Sequence, residues 1–176
     1  MGTPSRLPII AVLGATGQQG RGVVRAILSK PSPTFHVRAI TRNPQGSAAD
    51  SLLEEYQKTG NFEIVKGDVY DEASLRSAFE GAHGVFGITV NRIAGMRIDS
   101  EEQMKHELEA GRNIVDAAKA CGVKHLVFSS LPNLTDASNG RFTKVFHFDY
   151  KHDIENYARE HLPAVTALMP GSYCSV

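Results

Sequence analysis

The sequence has few of the features that mark secreted, membrane or nucleic-acid-binding proteins. Its two cysteines, Cys121 and Cys174, lie far apart without a Cys-x-x-Cys or metal-like spacing, so we expect a reducing compartment and no metal site. No apolar run approaches the roughly 20 residues that span a bilayer, and residues 1–8 lack a signal-peptide apolar region. The charges of the 19 basic and 19 acidic side chains cancel, and the basic residues do not cluster. The sequence therefore lacks the basic patch that is typical of direct nucleic-acid binding. We therefore expect a cytoplasmic or also nuclear protein that binds neither membrane nor nucleic acid directly.

The informative stretch covers residues 9–20. Five apolar residues predict a strand that is buried on both faces. Gly14, Gly17 and Gly20 follow at intervals of three, and apolar residues then recur at helical spacing. A strand, a glycine turn and a helix place a pyrophosphate on the helix N-terminus, where free N–H groups meet the anion. The stretch predicts dinucleotide binding; the alternative is a glycine-rich turn in an ordinary α/β unit.

The end of the second predicted strand, over 35–41, bears on the choice of dinucleotide. An Asp or Glu there binds the 2′-hydroxyl of an NAD ribose, whereas an Arg accommodates the 2′-phosphate of NADP. The sequence reads Thr41-Arg42-Asn43-Pro44, with no carboxylate. We therefore predict that Arg42 meets the 2′-phosphate, the alternative being a solvated loop arginine.

The rest of the chain repeats the alternation of strand and helix. This pattern predicts one domain over 1–176, an α/β doubly wound parallel sheet of six strands with helices on both faces. Gly111, inside a long predicted helix, suggests that this helix approaches the sheet closely. The predicted strands cover 9–13, 35–41, 62–68, 84–90, 125–131 and 164–169, and the predicted helices 18–30, 47–58, 73–80, 100–121 and 149–161, with a loop over 132–143.

Polar residues at two other strand ends are candidates for the same site. Asp68 follows the third strand, where it either reaches the adenine or serves as a turn or cap residue. Thr89 and Asn91 end the fourth strand, beside the point where strand order reverses, and we expect them to face a nicotinamide ribose. Asp71 is predicted to cap the next helix.

These motifs resemble the NmrA-like proteins, an atypical branch of the short-chain dehydrogenase/reductase superfamily. The resemblance rests on the glycine loop, on residues 41–44, on Gly67-Asp68, on His147-Phe148-Asp149-Tyr150-Lys151 with Glu155-x-Tyr157, and on Pro170-Gly171. It implies an NAD(P)-binding Rossmann fold and a cofactor that is NADP(H), with NAD(H) as the other option. The cofactor contacts it implies, together with those proposed above, are Gly14, Ala15, Thr16, Gly17, Gln18, Gln19, Gly20, Arg42, Asp68, Thr89, Asn91, Lys151, Gly171, Ser172 and Tyr173.

The chain departs from the superfamily pattern in two ways. Active members use Tyr-x-x-x-Lys as the general acid or base, but here His147 stands four residues before Lys151. His147 is a candidate for proton transfer or a polar residue in the loop ahead of a helix; Lys151 is a cofactor contact or a solvated helix lysine. Family members also continue into a smaller C-terminal region, so we expect the sheet to lack its closing strand and to leave an exposed edge or a homodimer contact.

Two functions remain open from the sequence. The missing tyrosine and C-terminal region favour a redox-sensing regulatory module that binds NADP(H) and signals to a protein partner, for example in transcriptional regulation. The cofactor motifs equally suit an NADPH-dependent oxidoreductase that reduces a small carbonyl or quinone compound, with Lys151 and His147 as its catalytic candidates.

Overall fold

A computed structural model describes residues 7–90 and 101–171 of the chain. Strands and helices alternate along it as the sequence pattern predicts, with a 3₁₀ turn over Gln57–Thr59 after the second helix. The strands are β1 Ile9–Leu13, β2 His36–Thr41, β3 Phe62–Lys66, β4 Ala82–Gly87, β5 His125–Ser129 and β6 Val165–Leu168. The helices are α1 Gln18–Leu28, α2 Ser47–Tyr56, α3 Glu72–Phe79, α4 Glu101–Met104, α5 His106–Ala120, α6 Leu134–Ala137 and α7 Phe146–His161.

The six strands form one parallel sheet in the order β3-β2-β1-β4-β5-β6. This confirms the predicted doubly wound fold. The strand order reverses between β1 and β4, where Val12 of β1 lies in register with Ala39 of β2 and Phe86 of β4. Open α/β sheets bind ligands outside the carboxyl ends of their strands at such a reversal.

Side chains alternate between the two faces of the sheet along each strand, and helices cover both faces. On one face Val12 packs with Val24 of α1 and Leu52 of α2. On the other face Leu13 packs in a cluster with Phe79 of α3, and this cluster also contains residues of α5 and α7. In the described part of the chain, no helix is long and apolar enough to cross a membrane.

Several predicted boundaries need correction. The long helix predicted from residue 100 is divided at Lys105, whose N–H bonds the Glu102 carbonyl three residues back and so tightens the turn. Helix α7 begins three residues earlier than predicted, and α6 lies within the predicted loop over 132–143. The spacing of Leu52, Leu53 and Tyr56 predicts that all three lie on the inner face of α2, but Leu53 is 40% exposed. Asp71 caps α3 as predicted, accepting from the Ser74 N–H.

Gly111 does approach a neighbour closely, but that neighbour is a helix and not the sheet. A Cβ at Gly111 would lie 2.3 Å from Cγ1 of Ile154 in α7. Ile154 is 1% exposed and belongs to the core, so it has little room to move. Gly111 therefore sets the distance between α5 and α7, which carry the residues of the candidate site described below.

We expect Gly111→Ala to destabilise the protein, because the added methyl overpacks this contact at about 1–3 kcal/mol and the helix-propensity gain recovers only about 1 kcal/mol. Urea unfolding measures the change. In an Ile154→Ala background the same substitution has space, so it should there be neutral or stabilising. Equal losses in both backgrounds would show that the Gly111–Ile154 contact is not the cause.

Candidate functional site

The turn between β1 and α1 forms a backbone-lined hollow at the carboxyl edge of the sheet. Gly14 has a φ of 61°, a left-handed conformation that is strained for residues with a Cβ. Gly17 precedes α1 in an extended conformation, and its N–H donates to the Gly14 carbonyl at 2.8 Å. A Cβ at Gly20 would lie 2.2 Å from that same carbonyl oxygen. Only glycine at position 20 therefore lets the helix come this close to the turn.

The N-terminus of α1 is suited to an anion. Gly17 provides no side-chain cap, and the first turn holds no acidic residue. The first N–H groups of a helix lack intrahelical partners, and the positive end of the helix dipole lies among them. A pyrophosphate satisfies both. Ala15 is fully buried; it supports the turn from the core and does not line the hollow.

The hollow continues into a cleft of about 390 Å³ along the carboxyl ends of β1, β2 and β4. The structure thus brings most of the predicted glycine-loop residues together with Arg42. The cleft is lined by Leu13, Gly14, Thr16, Gly17, Gln18, Gln19, Gly20, Ile40, Thr41, Arg42, Gly67, Val69, Tyr70, Ile88 and Val90.

Arg42 lies on the cleft wall directly after β2. Its side chain is exposed and makes no hydrogen bond or ion pair with another described residue. The Asn43 N–H bonds the Thr41 hydroxyl at 3.3 Å, which shapes the turn at the strand end. No carboxylate stands among residues 41–46. Arg42 therefore faces the cleft without a described hydrogen-bond or ion-pair partner, and its contact with a 2′-phosphate stays a prediction.

Sequence reasoning missed the apolar part of the cleft. Leu13, Ile40 and Ile88 line it beside Val69 and Tyr70, which follow β3. The available signal was position, because each of them ends or follows a strand at the carboxyl edge, where such sheets bind ligands.

Tyr70 carries an unusual hydroxyl. Burial, and then the negative charge of Glu107, raise the pKa of Tyr70 above its ordinary value. The hydroxyl oxygen is buried and has no hydrogen-bond partner within residues 7–90 and 101–171. Such a group is unsatisfied in the described structure.

Asp68 serves the turn after β3. One of its carboxylate oxygens accepts from the Tyr70 N–H at 3.1 Å, and its own N–H donates to the Ser74 hydroxyl at 2.9 Å. Asp68 does not line the cleft, although Gly67 and Val69 on either side of it do. The structure thus supports the turn role, and the adenine contact stays a prediction.

Thr89 and Lys151 meet in a buried polar cluster with Glu107, a residue the sequence analysis did not single out. The Lys151 ammonium donates to the Thr89 carbonyl at 2.9 Å and to the Thr89 hydroxyl at 2.8 Å. It also lies 2.9 Å from Oε1 of Glu107, which accepts from the Thr89 hydroxyl at 2.7 Å. Lys151 is therefore not the solvated helix lysine of the alternative interpretation.

His147 lies inside α7 and not in a loop ahead of it. Because α7 begins at Phe146, His147 is in its first turn, one turn before Lys151 and on the same side of the helix. The imidazole is half-buried and meets the Phe148 ring edge-on, with centroids 4.7 Å apart. His147 thus lies one helical turn before Lys151, and proton transfer by it stays a prediction.

Asp149 holds the segment after β5 against α7. Its carboxylate accepts from the Thr135 hydroxyl at 2.6 Å and from the backbone N–H groups of Leu134 and Thr135 at 2.8 and 3.3 Å. Burial by itself raises the pKa of Asp149, but these hydrogen bonds outweigh it and hold the pKa below its ordinary value. Asp149, which lies between His147 and Lys151 in α7, therefore ties this helix to the segment around Leu134 and Thr135.

Some predicted site residues are not placed in the cleft. Asn91, Ser172 and Tyr173 lie outside the described residues. Gly171 is exposed after β6 and does not line the cleft. Within the described ranges, no group of three or more His, Cys, Asp or Glu side chains is arranged to hold a metal ion.

Comparison with known proteins agrees with this geometry. The model of the NmrA-like family matches residues 8–175. The chain belongs to the NmrA-like family. FrzB of Cladobotryum sp., an NmrA-like family domain-containing oxidoreductase, is 41% identical to this NmrA-like chain over 152 residues, which are 86% of the chain and 42% of FrzB.

Solved structures show the same fold. The NADPH-dependent quinone oxidoreductase QOR2 of Escherichia coli, complexed with NADPH, is 28% identical with a TM-score of 0.68 and covers 93% of this chain and 49% of its own. The Citrobacter sp. triphenylmethane reductase, complexed with NADP(H), is 25% identical with a TM-score of 0.69, covering 93% and 50%. This NmrA-like chain thus spans about half, or less, of the length of these relatives.

Proposed function

We propose that this NmrA-like chain binds NADP(H) in the cleft and forms the cofactor-binding unit of an oxidoreductase. One observation carries the proposal: the uncapped, acid-free N-terminus of α1 lines the same cleft as Arg42, which has no hydrogen-bond or ion-pair partner in the described part of the chain. A dinucleotide with a 2′-phosphate has anionic groups to match both places, whereas NAD(H) matches only the helix N-terminus.

The residues present fit this cofactor. The N–H groups of Gln18 and Gln19 open α1 and would hold the pyrophosphate, because Gly17 leaves that end uncovered. Arg42 would hold the 2′-phosphate. The family resemblance makes Lys151 a cofactor contact and assigns the nicotinamide end to Thr89, Asn91, Gly171, Ser172 and Tyr173. The reduced nicotinamide, when bound, supplies a hydride to an acceptor.

The chain's own part in reduction would be to supply a proton. His147 stands at the position of the superfamily tyrosine, one helical turn before the Lys151 ammonium. An imidazole side chain is a common general acid in enzymes. Curated relatives are named oxidoreductases, and QOR2 is named a quinone oxidoreductase. A small carbonyl or quinone compound is therefore the substrate class we propose.

A second candidate is a redox-sensing regulatory module that binds NADP(H) and reports to a protein partner. The observation that favours it is His147 itself, because the tyrosine of active superfamily members is replaced. The names of the relatives favour the oxidoreductase.

We expect NADPH consumption by this chain to depend on an added quinone or carbonyl acceptor and to fall about 100-fold or more in His147→Ala, the usual loss for a general acid. Absorbance of NADPH measures it. His83→Ala is the matched control, since His83 is exposed on β4, before the strand reaches the cleft edge. NADPH binding without acceptor-dependent consumption would contradict the oxidoreductase and favour the sensor.

A further inference from the structure

The cluster of Thr89, Glu107 and Lys151 is a buried ion pair at the nicotinamide end of the proposed site. The Glu107 side chain is 1% exposed and that of Lys151 is 11% exposed. A protonated lysine has three N–H donors, and three acceptors surround this one within 2.9 Å: the Thr89 carbonyl, the Thr89 hydroxyl and Oε1 of Glu107. The ammonium is thus fixed in both position and direction.

Stability alone does not account for this pair. Removing two charges from water is unfavourable, and well-packed apolar residues in place of a buried ion pair are often as stable or more stable. Glu107 faces inward although the sequence around it, from Lys105 to Glu109, is mostly polar. It stands in the first turn of α5, where the helix dipole stabilises a carboxylate. The fold therefore supports a negative charge beside Lys151.

The cluster adjoins the cleft. Thr89 follows Ile88 and precedes Val90, which both line the cleft. Glu107 reaches the cluster from α5 and Lys151 from α7, and these two helices pack through Gly111 and Ile154. Three segments far apart in sequence thus converge on one ammonium, at the end of β4 and next to the proposed cofactor.

We propose that Glu107 is a positioning residue, whose carboxylate holds the Lys151 ammonium at the end of β4 in the orientation that a bound dinucleotide requires. The proposal rests on the proposed function, since it concerns the same cleft. The Lys151 ammonium already donates two hydrogen bonds to Thr89 and pairs with Glu107 before any ligand arrives, so a ligand hydroxyl has to compete with these contacts. A charged carboxylate keeps the ammonium anchored during that exchange, whereas a neutral amide holds it more weakly.

The first measurement needs no cofactor. In ¹H–¹⁵N spectra of lysine side chains, a buried, hydrogen-bonded ammonium exchanges slowly with water and gives a resolved signal. We expect such a signal in the wild-type protein, absent from Lys151→Met, and lost in Glu107→Gln. Glu102→Gln is the matched control, because Glu102 pairs with Lys105 on an exposed face and its loss should leave the Lys151 signal unchanged.

The second measurement is NADPH affinity. We expect Glu107→Gln to weaken binding about tenfold and to have no further effect in a Lys151→Met background, since coupled residues are not additive. Glu107→Asp keeps the charge on a shorter side chain and should weaken binding less than Glu107→Gln. This variant also preserves the test if Glu107→Gln does not fold.

The proposal would be overturned by a Lys151 signal that survives Glu107→Gln, or by NADPH affinity that is the same in wild type, Glu107→Gln and Glu107→Asp. Additive losses in the double variant would overturn it as well, because Glu107 would then act independently of Lys151. If the wild-type protein binds no dinucleotide while the Lys151 signal depends on Glu107, the proposed function fails but the positioning of Lys151 by Glu107 stands.

Discussion

Gly20→Ala is expected to weaken the affinity for NADP(H) by about 100-fold or more. The new methyl would lie 2.2 Å from the Gly14 carbonyl oxygen and 2.7 Å from Cα of Ala15. Both are backbone atoms, so the turn and the start of α1 must separate. The N–H groups at the start of α1 then no longer converge on the pyrophosphate. Losing two charge-assisted hydrogen bonds of about 1.5 kcal/mol each gives a loss of this size.

Titration of NADPH fluorescence measures the effect, with thermal unfolding recorded in parallel. The overpacked turn should also destabilise the fold by about 1–3 kcal/mol. Gly22→Ala is the matched control, two residues along the same helix. A Cβ at Gly22 meets nothing within 4 Å, so this variant should bind NADPH normally and gain up to about 1 kcal/mol in stability. Normal NADPH binding by Gly20→Ala would show that the glycine turn does not bind the cofactor.

Arg42→Ala is expected to remove the preference for NADP(H) over NAD(H). In the wild-type protein the guanidinium pairs with the 2′-phosphate, a charge-assisted contact of about 1.5–3 kcal/mol. This corresponds to a preference of roughly 10–150-fold. In the variant the affinity for NADP(H) should fall by that factor, while the affinity for NAD(H), which lacks the 2′-phosphate, should remain similar.

Calorimetric titration of Arg42→Ala and of a control variant, each with NADP(H) and with NAD(H), provides the comparison. Arg25→Ala serves as the control, because Arg25 is an exposed arginine on α1 that does not line the cleft. It changes the net charge by the same amount and should leave the preference intact. A parallel loss of NADP(H) and NAD(H) affinity in Arg42→Ala would mean that Arg42 shapes the cleft and does not read the 2′-phosphate.

Local patterns in the sequence predict the part of the site that local geometry determines. The strand over Ile9–Leu13, the glycine turn and the start of α1 at Gln18 are all found where the spacing places them. The turn demands glycine for reasons internal to the segment: the positive φ of Gly14 and the contact of Gly20 with the Gly14 carbonyl. The six-stranded parallel sheet follows from the alternation of elements.

Contacts between distant segments account for what the sequence did not predict. Glu107 stands in a stretch that resembles a solvated helix face, and its burial follows from Lys151, 44 residues later, and Thr89, 18 residues earlier. Gly111 signalled close packing, but only the structure shows that Ile154 is its neighbour. The start of α7 at Phe146 was also missed, because no side chain caps the helix there.

The central claim is that this NmrA-like chain binds NADP(H) through the glycine turn and Arg42. Calorimetric titration of the wild-type chain with NADP(H) and with NAD(H) tests it most directly. We predict saturable binding of NADP(H) and binding of NAD(H) that is weaker by roughly 10–150-fold. Equal affinities would contradict the role of Arg42, and no binding of either cofactor would contradict the proposed site as a whole.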